Sequence, residues 1–373
     1  MNIVKATQDF EQWLAKRLPV VRQDLALKHA SMAGAPFAFL RATFYRWLQQ
    51  WSNVNSDLAK APAVLAVGDL HVENFGTWRD SEGRLIWGVN DLDEAWPAPY
   101  TLDLVRLTTS AYLAIWSEHL SVTRRDAAQA IEEGYRDALQ EGGKPFILAE
   151  DHQWLRLLAL GKLRDPVRFW AKMQQNPPYP AKAPAEVRKL LEETLPAASR
   201  GQYQLKRRVA GLGSLGHPRI LALSCSDGAF IAREAKAIRP SAWTWHNHDR
   251  SEEIYGGKLI DRAIRVKDPC VRFHGRWVVR RLAPDCSRIE LPSLPKQRDE
   301  ARLLYCMGWE TANIHFASPQ AIPKLKRDLA SLRGRWLHRA SKAMFKCTLD
   351  DWEEWRNRWK RVEKTSTKRN KDA

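Results

Sequence analysis

The sequence contains no C-x-x-C pair, and its five cysteines (Cys225, Cys270, Cys286, Cys306 and Cys347) are odd in number and scattered. Neither a disulfide framework nor a thiolate zinc site is indicated, and a reducing, cytoplasmic setting is expected. No run approaches the ~20 apolar residues needed to cross a bilayer. The N-terminus MNIVKATQDFEQW lacks the basic segment and apolar core of a secretory leader, so no membrane partner is expected. There is no internal repeat. Acidic residues are in deficit, 43 Asp and Glu against 60 Lys and Arg, giving a formal charge of +17 and a pI near 9.8. Such a balance suits acidic partners, whether nucleic acid, a membrane surface or a phosphorylated small molecule, and does not choose among them.

What is present is material for a large core: 44% hydrophobic residues over 373 positions. The 17 tryptophans are read mainly as core and helix-packing residues. Residues 1–60 show apolar positions at three- and four-residue intervals and predict helices, with Pro36 as a break. APAVLAVGD and RLIWGVNDLDEA predict strands, and LDLVRLTTSAYLAIW and TRRDAAQAIEEGYRDALQEGG predict helices, the second ended by Gly142 and Gly143. The proline-rich NPPYPAKAPAEV marks a linker or lid near 176–187. Beyond it, KRRVAGLGSLGHPRILALSCSDGAFIAREAKAI has the alternation of a three-stranded meander with a hairpin at Asp227–Gly228. A polar helix around SEEIYGGKLIDRAIRV, the strands CVRFHG and RWVVRRLA, and helices from 297 onward complete the chain.

Three segments carry chemistry. In GLGSLG, Gly211, Gly213 and Gly216 have G-x-G-x-x-G spacing. A dinucleotide site would need a helix to start within the motif; here His217–Pro218 and a strand follow. The pattern fits a glycine turn between antiparallel strands, the device that covers the phosphates of ATP in kinases, and equally an ordinary glycine hairpin. Lys236 stands on the third strand of the meander, where a kinase places the lysine that meets the α/β-phosphates, held by a carboxylate of the following helix; Glu253, with Glu252 beside it, is the candidate. In GDLHVENFG, Asp69 and Asn74 are five residues apart, the separation of a kinase catalytic base and its metal-binding asparagine.

VGDLHVEN resembles the H-G-D-x-H-x-x-N loop of phosphotransferases of the aminoglycoside and choline kinase type, with Val67 in place of the first histidine. The resemblance implies that Asp91 in GVNDLDEA chelates Mg2+, with Asp93 as a second ligand. It implies that Asp103 in YTLDLVRL buttresses the catalytic loop, and that His71 orders it by hydrogen bonding. Glu73 is read as solvent-facing and receives no role. FAFLRATFYRW, GDLHVENFG, NDLDEA, LDLVRL, GLGSLG and REAK, in this order from about Leu25 to Phe316, also resemble an uncharacterised bacterial domain-of-unknown-function family with GDxHxxNFG and NDFDE signatures. What this implies is an α+β, protein kinase-like two-lobe fold, circularly permuted, because Asp69 and Asp91 precede the glycine turn and Lys236. Residues 1–200 would form the first part of a helical large lobe and 201–290 an inserted β-rich, nucleotide-binding small lobe. Residues 291–365 would supply the closing helices, LLYCMGWETANIHFA ending near His315 where the catalytic loop would ordinarily follow, and 366–373 a disordered basic tail.

The expected function is ATP- and Mg2+-dependent phosphotransfer to a hydroxyl-bearing or anionic acceptor, with nucleotidyl transfer as a variant. The nucleotide would meet Gly211, Gly213, Ser214, Gly216, Lys236 and Glu253; the metal would meet Asn74, Asp91 and Asp93; Asp69 would be the catalytic base. Two rivals stand beside it. One is an inactive kinase-like scaffold that binds nucleotide or RNA, although no RNA-module signature is present. The other is a metallophosphoesterase, whose D-x-H opening DLH supplies and whose later motif HNHD at 246–249 echoes.

Overall fold

The computed structural model describes residues 1–148, 150, 152–159, 165–286 and 299–369, with side chains as far as 362 in the last helix. The chain opens with α1 (Ile3–Ala15), α2 (Arg22–Gly34), α3 (Pro36–Ala42) and α4 (Phe44–Val54). Ile3, Ala6, Phe10 and Leu14 form the buried stripe of α1, whose first turn is capped by the Asn2 side chain. Pro36 does not interrupt a helix; it begins α3, where its missing N–H would lack an intrahelical partner anyway.

Next come β1 (Ala63–Ala66), β2 (Phe75–Arg79), β3 (Leu85–Val89) and β4 (Trp96–Pro99). β1 pairs with β4, and the hairpin β2–β3 pairs with the short β5 (Phe146–Ile147). β2 and β4 were not expected from the pattern, because both are short and β4 contains two prolines that leave little β signal. α5 (Tyr100–Trp116) is buried on nearly every side and runs through the centre of the helical body. α6 (Arg124–Glu141), capped by Thr123 and ended by Gly142 at φ 89°, packs along it and along α12. α7 (Gln153–Ala159) follows.

α8 (Pro166–Gln174) and α9 (Ala185–Thr194) lead into β6 (Gln204–Arg207), β7 (Arg219–Ser226) and β8 (Ala229–Ala237). After α10 (Ala242–His246) and α11 (Gly256–Arg262), β9 (Arg272–His274) and β10 (Trp277–Leu282) complete an antiparallel sheet of order β6-β7-β8-β10-β9. The expected hairpin is present: Asp227 and Gly228 both have positive φ, 53° and 76°, the geometry that matches strand twist in a two-residue turn. Two readings change here. α8 and α9 are part of the sheet unit, since α9 packs on the face of Ile220, Ala222, Ala235 and Val279 while Phe169, Trp170 and Met173 of α8 pack near Leu221, Leu223, Ala232 and Leu282. The proline-rich segment is no free linker, because Tyr179 N–H donates to Leu205 O at 2.9 Å and lays the chain along β6.

Finally α12 (Glu300–His315), α13 (Ile322–Ser331) and α14 (Trp336–Arg369) return to the helical body. α14 carries helix through Arg369, so residues 366–369, read as the start of a disordered tail, continue it; 370–373 lie outside the described residues, as do 287–298 around the expected boundary at 290/291. The main core gathers α4, β1, α5, α6 and α12, with Trp51, Trp87, Tyr100 and Tyr135 among its largest fully buried side chains. Each Leu or Phe buried there contributes roughly 1.5–3 kcal/mol.

Candidate functional site

GDLHVENFG follows β1, and its shape is dictated from behind. Asp103, fully buried in the first turn of α5, accepts from the Val67 N–H at 2.7 Å and the Gly68 N–H at 2.9 Å. His315, at the end of α12, links Asp103 (3.0 Å from Nε2) to the Tyr135 hydroxyl (2.8 Å from Nδ1). Ser318 Oγ accepts the Leu65 N–H at 2.7 Å. The buttress assigned to Asp103 is thus present as geometry. Gly68 is required where it stands: its φ is +84°, and a Cβ there would lie 2.5 Å from Glu94 O. His71 Nδ1 accepts the Glu73 N–H at 3.2 Å and caps the short turn Val72–Asn74, the ordering role expected of it. Asn74 Nδ2 donates to the Asp69 carbonyl at 2.6 Å, which commits the amide nitrogen to the loop and leaves the oxygen as its available ligand atom.

The β2–β3 hairpin explains why positions 74 and 91 meet. Phe75 pairs with Val89, and Asn90 N–H donates to Asn74 O at 3.0 Å, so the two loop ends lie side by side. Across from them, strand alternation puts Glu234 and Lys236 on one face of β8, opposite Arg219 of β7 and Arg280 of β10. Lys236 Nζ lies 3.4 Å from Asp91 Oδ1 and also pairs with Asp93. The glycine turn joins β6 to β7, and its Gly213 reaches the same place, a Cβ there lying 3.6 Å from Asp69 Oδ2 and 2.9 Å from Arg41 O. One cleft, about 600 Å³ with its open mouth included, is lined by Asp69, Asn74, Asp91, Asp93, Gly213 and Ser214.

Electrostatics differ among these carboxyls. Burial pushes Asp69 up to about 7, with Arg106 opposing the rise and Glu94 and Asp91 adding to it. Burial acts in the same direction on Asp91, yet Lys236, Arg280 and Arg219 hold it below the usual carboxylate range. Asp93 is raised by burial and by Asp91. Asp91, Asp93 and Asn74 offer two carboxylates and an amide, a set that suits a hard cation taking its remaining oxygens from phosphates and water.

Residues 19–166 match a protein family described as an uncharacterized protein conserved in bacteria, DUF2252. No curated protein and no solved structure matches the chain. The matched segment holds Asp69, Asn74, Asp91, Asp93 and Asp103 and ends before the glycine turn and Lys236, short of the span to Phe316 read from motif order.

Two expected roles are not met. Glu253 does not reach Lys236: it lies half exposed in the irregular stretch before α11 and is 3.7 Å from Lys258, while Glu252 pairs with Arg276 at 2.6 Å. α11 starts only at Gly256, so no helix turns either glutamate inward. Glu73 is not solvent-facing; it is buried and bonded to Arg41 Nη1 at 2.6 Å. Ser214 and Gly211 have a supporting position, since Arg219 Nη2 donates to Ser214 Oγ at 2.6 Å and a Cβ on Gly211 would lie 2.5 Å from that same nitrogen. Gly216 (φ +98°) is docked against α2, its carbonyl accepting the Val21 N–H at 2.9 Å. HNHD lies apart from the cleft, His248 and Asp249 being exposed after α10, and among the described residues no three His, Cys, Asp or Glu side chains gather as a metal site.

Sequence reasoning missed several members. Arg106, with no exposed surface, donates from Nε to Asp69 Oδ1 at 3.0 Å and from Nη2 to the same oxygen, its guanidinium lying 4.9 Å from the Phe44 and Trp47 rings. Glu94 accepts from Arg239, from Ser241 Oγ at 2.8 Å and from the Ala242 N–H at 2.7 Å. Glu234 is fully buried among Arg208, Arg219 and Arg280. A signal existed for Arg106, a lone arginine within the apolar helix LDLVRLTTSAYLAIW; for Glu94 and Glu234 nothing in the pattern separated them from surface glutamates.

Proposed function

We propose that this protein is a kinase-like phosphotransferase that uses ATP and Mg2+ to phosphorylate a hydroxyl-bearing acceptor, on a circularly permuted two-lobe frame. The observation that carries the reading is the meeting of Lys236, from the third strand of the sheet, with Asp91 and Asp93, from the hairpin that also carries Asn74. Asp91 and Asp93 line one cleft with Asp69 and the glycine turn between the first two sheet strands, and Lys236, 145 positions from Asp91, adjoins it through those two carboxylates. The permutation is supported by α12, whose last turn meets β1 and Asp103 through His315 and Ser318, where a helix leading into the loop would end.

In this reading the glycine turn covers the phosphates and Lys236 grips the α/β oxygens in place of Asp91 and Asp93. Asn74, Asp91 and Asp93 would hold Mg2+, which when bound neutralises the phosphate charge. Lys236 and the acidic pair therefore compensate each other without nucleotide and exchange partners with it. Asp69, raised by burial and fixed through Oδ1 by Arg106, presents Oδ2 to the acceptor hydroxyl and takes its proton. Positioning and charge neutralisation supply most of the rate in such a transfer.

A thermal-shift scan with ATP, ADP, GTP and Mg2+ tests this. A ligand that binds only the native state raises the melting temperature, by the equivalent of about 2.7 kcal/mol at one hundred times its Kd. An Mg2+-dependent rise with ATP or ADP is expected; no rise with any nucleotide would sink the reading and favour a scaffold.

A further inference from the structure

Asp24 and Lys28 occupy one face of α2, four residues apart, the arrangement of an exposed helix pair. Both are instead buried, at 4% and 3% exposure, and both turn toward the sheet unit. Asp24 pairs with Arg207. Lys28 Nζ finds a single acceptor, Gly213 O at 3.3 Å, and no carboxylate within ion-pair distance among the described residues. Its neighbours in the cleft differ: Arg41 has Glu73, Arg106 has Asp69, Lys236 has Asp91 and Asp93, and Arg239 has Glu94. Among the described residues Lys28 is the cation in this wall that makes no ion pair, Glu11, Asp69 and Glu94 acting on it only from a distance.

Its place is telling. Gly213 adjoins both Lys28 and Asp69: its carbonyl accepts Lys28 Nζ, and a Cβ on it would lie 3.6 Å from Asp69 Oδ2. Phe10, Phe44 and Tyr45 line the same cleft, with the Tyr45 ring 5.9 Å from Nζ, so water is scarce and a charge there acts strongly. Burial draws the Lys28 ammonium down to about 8, against the opposing pull of Glu11, which is the cost of holding it without a partner. A role as a mere latch for the glycine turn is redundant, because the Val21–Gly216 backbone bond and the packing of Leu25 on Gly216 already dock that turn on α2.

We propose that Lys28 is a further catalytic residue of this cleft, touching the phosphoryl group as it passes from nucleotide to acceptor. The inference rests on the phosphotransfer reading above. In the step, the bond from the γ-phosphorus to the bridging oxygen breaks and ADP leaves with that electron pair. The acceptor oxygen bonds to phosphorus, its proton goes to Asp69, and Lys28 makes no covalent bond but faces the equatorial oxygens where charge is spread.

The test compares melting-temperature shifts of wild type, Lys28→Met and Lys28→Arg with Mg2+ and ADP, and with Mg2+, ADP and aluminium fluoride, a planar mimic of the phosphoryl group in flight. Wild type should gain extra stabilisation from the fluoride complex. Lys28→Met should keep the ADP shift and lose at least about tenfold in affinity for the fluoride complex, with Lys28→Arg recovering part of it. If Lys28→Met is poorly folded, Lys28→Gln is judged by the same criterion. Equal binding of both complexes by wild type and Lys28→Met overturns the proposal, as does a wild type that gains nothing from fluoride while still binding ADP. A wild type that binds no nucleotide overturns it together with the phosphotransfer reading.

Discussion

In the sheet unit, Glu234 is neutralised by its own surroundings, Arg208, Arg219 and Arg280 all belonging to β6–β10 and the turns between them. Across the cleft the arrangement is reversed. Asp91, Asp93 and Glu94 of the helical body find their cations on the sheet side, at Lys236 and Arg239. A charge satisfied within one unit is set when that unit folds and stays set; a pair that spans two units can be opened by anything that supplies the same charges from between them. The first kind builds the scaffold, and the second, in the phosphotransfer reading, is where a charged ligand would enter. Glu234 still serves the site at one remove, since Arg219 carries its orientation to Ser214 in the glycine turn.

The largest effect that would break this comparison is on turnover. If the protein is the proposed phosphotransferase, Asp91→Ala should lower its Mg2+-dependent turnover by at least about a thousandfold, because Asp91 would be one of the residues that hold the cation. The fold should survive, since the Asp91 side chain is 42% exposed and Lys236 retains Asp93. Measuring ATP consumption and the apo melting temperature of the same preparation checks both halves. Unchanged consumption would remove Asp91 from the mechanism and the cross-cleft pair from its meaning.

How much of this was legible in advance follows the same division. Asp69 and Asn74 were readable because a five-residue separation within one short loop fixes their relation locally; Asp91 and Asp103 were placed by the family resemblance, and the β2–β3 hairpin that brings Asn74 beside Asp91 went unread. The β6-β7-β8 meander followed from alternation and from the Asp227–Gly228 turn, while the place of β10 between β8 and β9 did not. Pairings made over long separations were not readable: the partner of Lys236 was sought in the next helix, at Glu253, and is instead 145 positions earlier, in a segment already assigned to the metal. Burial of charge was equally hidden. Glu73 is bonded to Arg41 of α3, Lys28 to the glycine turn, and Glu234 lies among three arginines of the sheet, contacts over long separations that their sequence neighbours do not announce.

The next effect is on stability and probes the other side of the comparison. Glu234→Gln keeps the shape and a hydrogen-bond acceptor but removes the carboxylate that pairs with Arg219, 2% exposed, and with two further arginines. Breaking a buried ion network by removing one partner costs about 3–5 kcal/mol. The expectation is a loss in that range by urea unfolding followed through the sheet unit, together with weakened nucleotide binding as Arg219 releases the glycine turn. A loss below about 1 kcal/mol would mean that the arginines are solvated and that the cluster is no scaffold.

The smallest effect concerns a buried carboxyl that makes no ion pair among the described residues. Glu310 of α12 lies behind the hairpin that carries Asp91, accepting the Val89 N–H at 3.2 Å and Asn313 Nδ2 at 2.9 Å. Burial pushes it up to about 7, with Arg265 only partly opposing. Below about 4.5 the folded and unfolded chains both hold this proton; between there and about 7 only the folded chain keeps it, so unfolding releases a proton and stability falls as pH rises. One proton corresponds to a slope of up to about 1.4 kcal/mol per pH unit. Glu310→Gln should remove that slope: slightly less stable than wild type at pH 5, where Asn313 loses its acceptor, it should draw level or pass it by pH 8. Melting curves of the two proteins at half-unit pH steps read the difference directly, and a constant offset would show that Glu310 titrates in the fold as it does in the unfolded chain, leaving the hairpin's support to its backbone bonds alone.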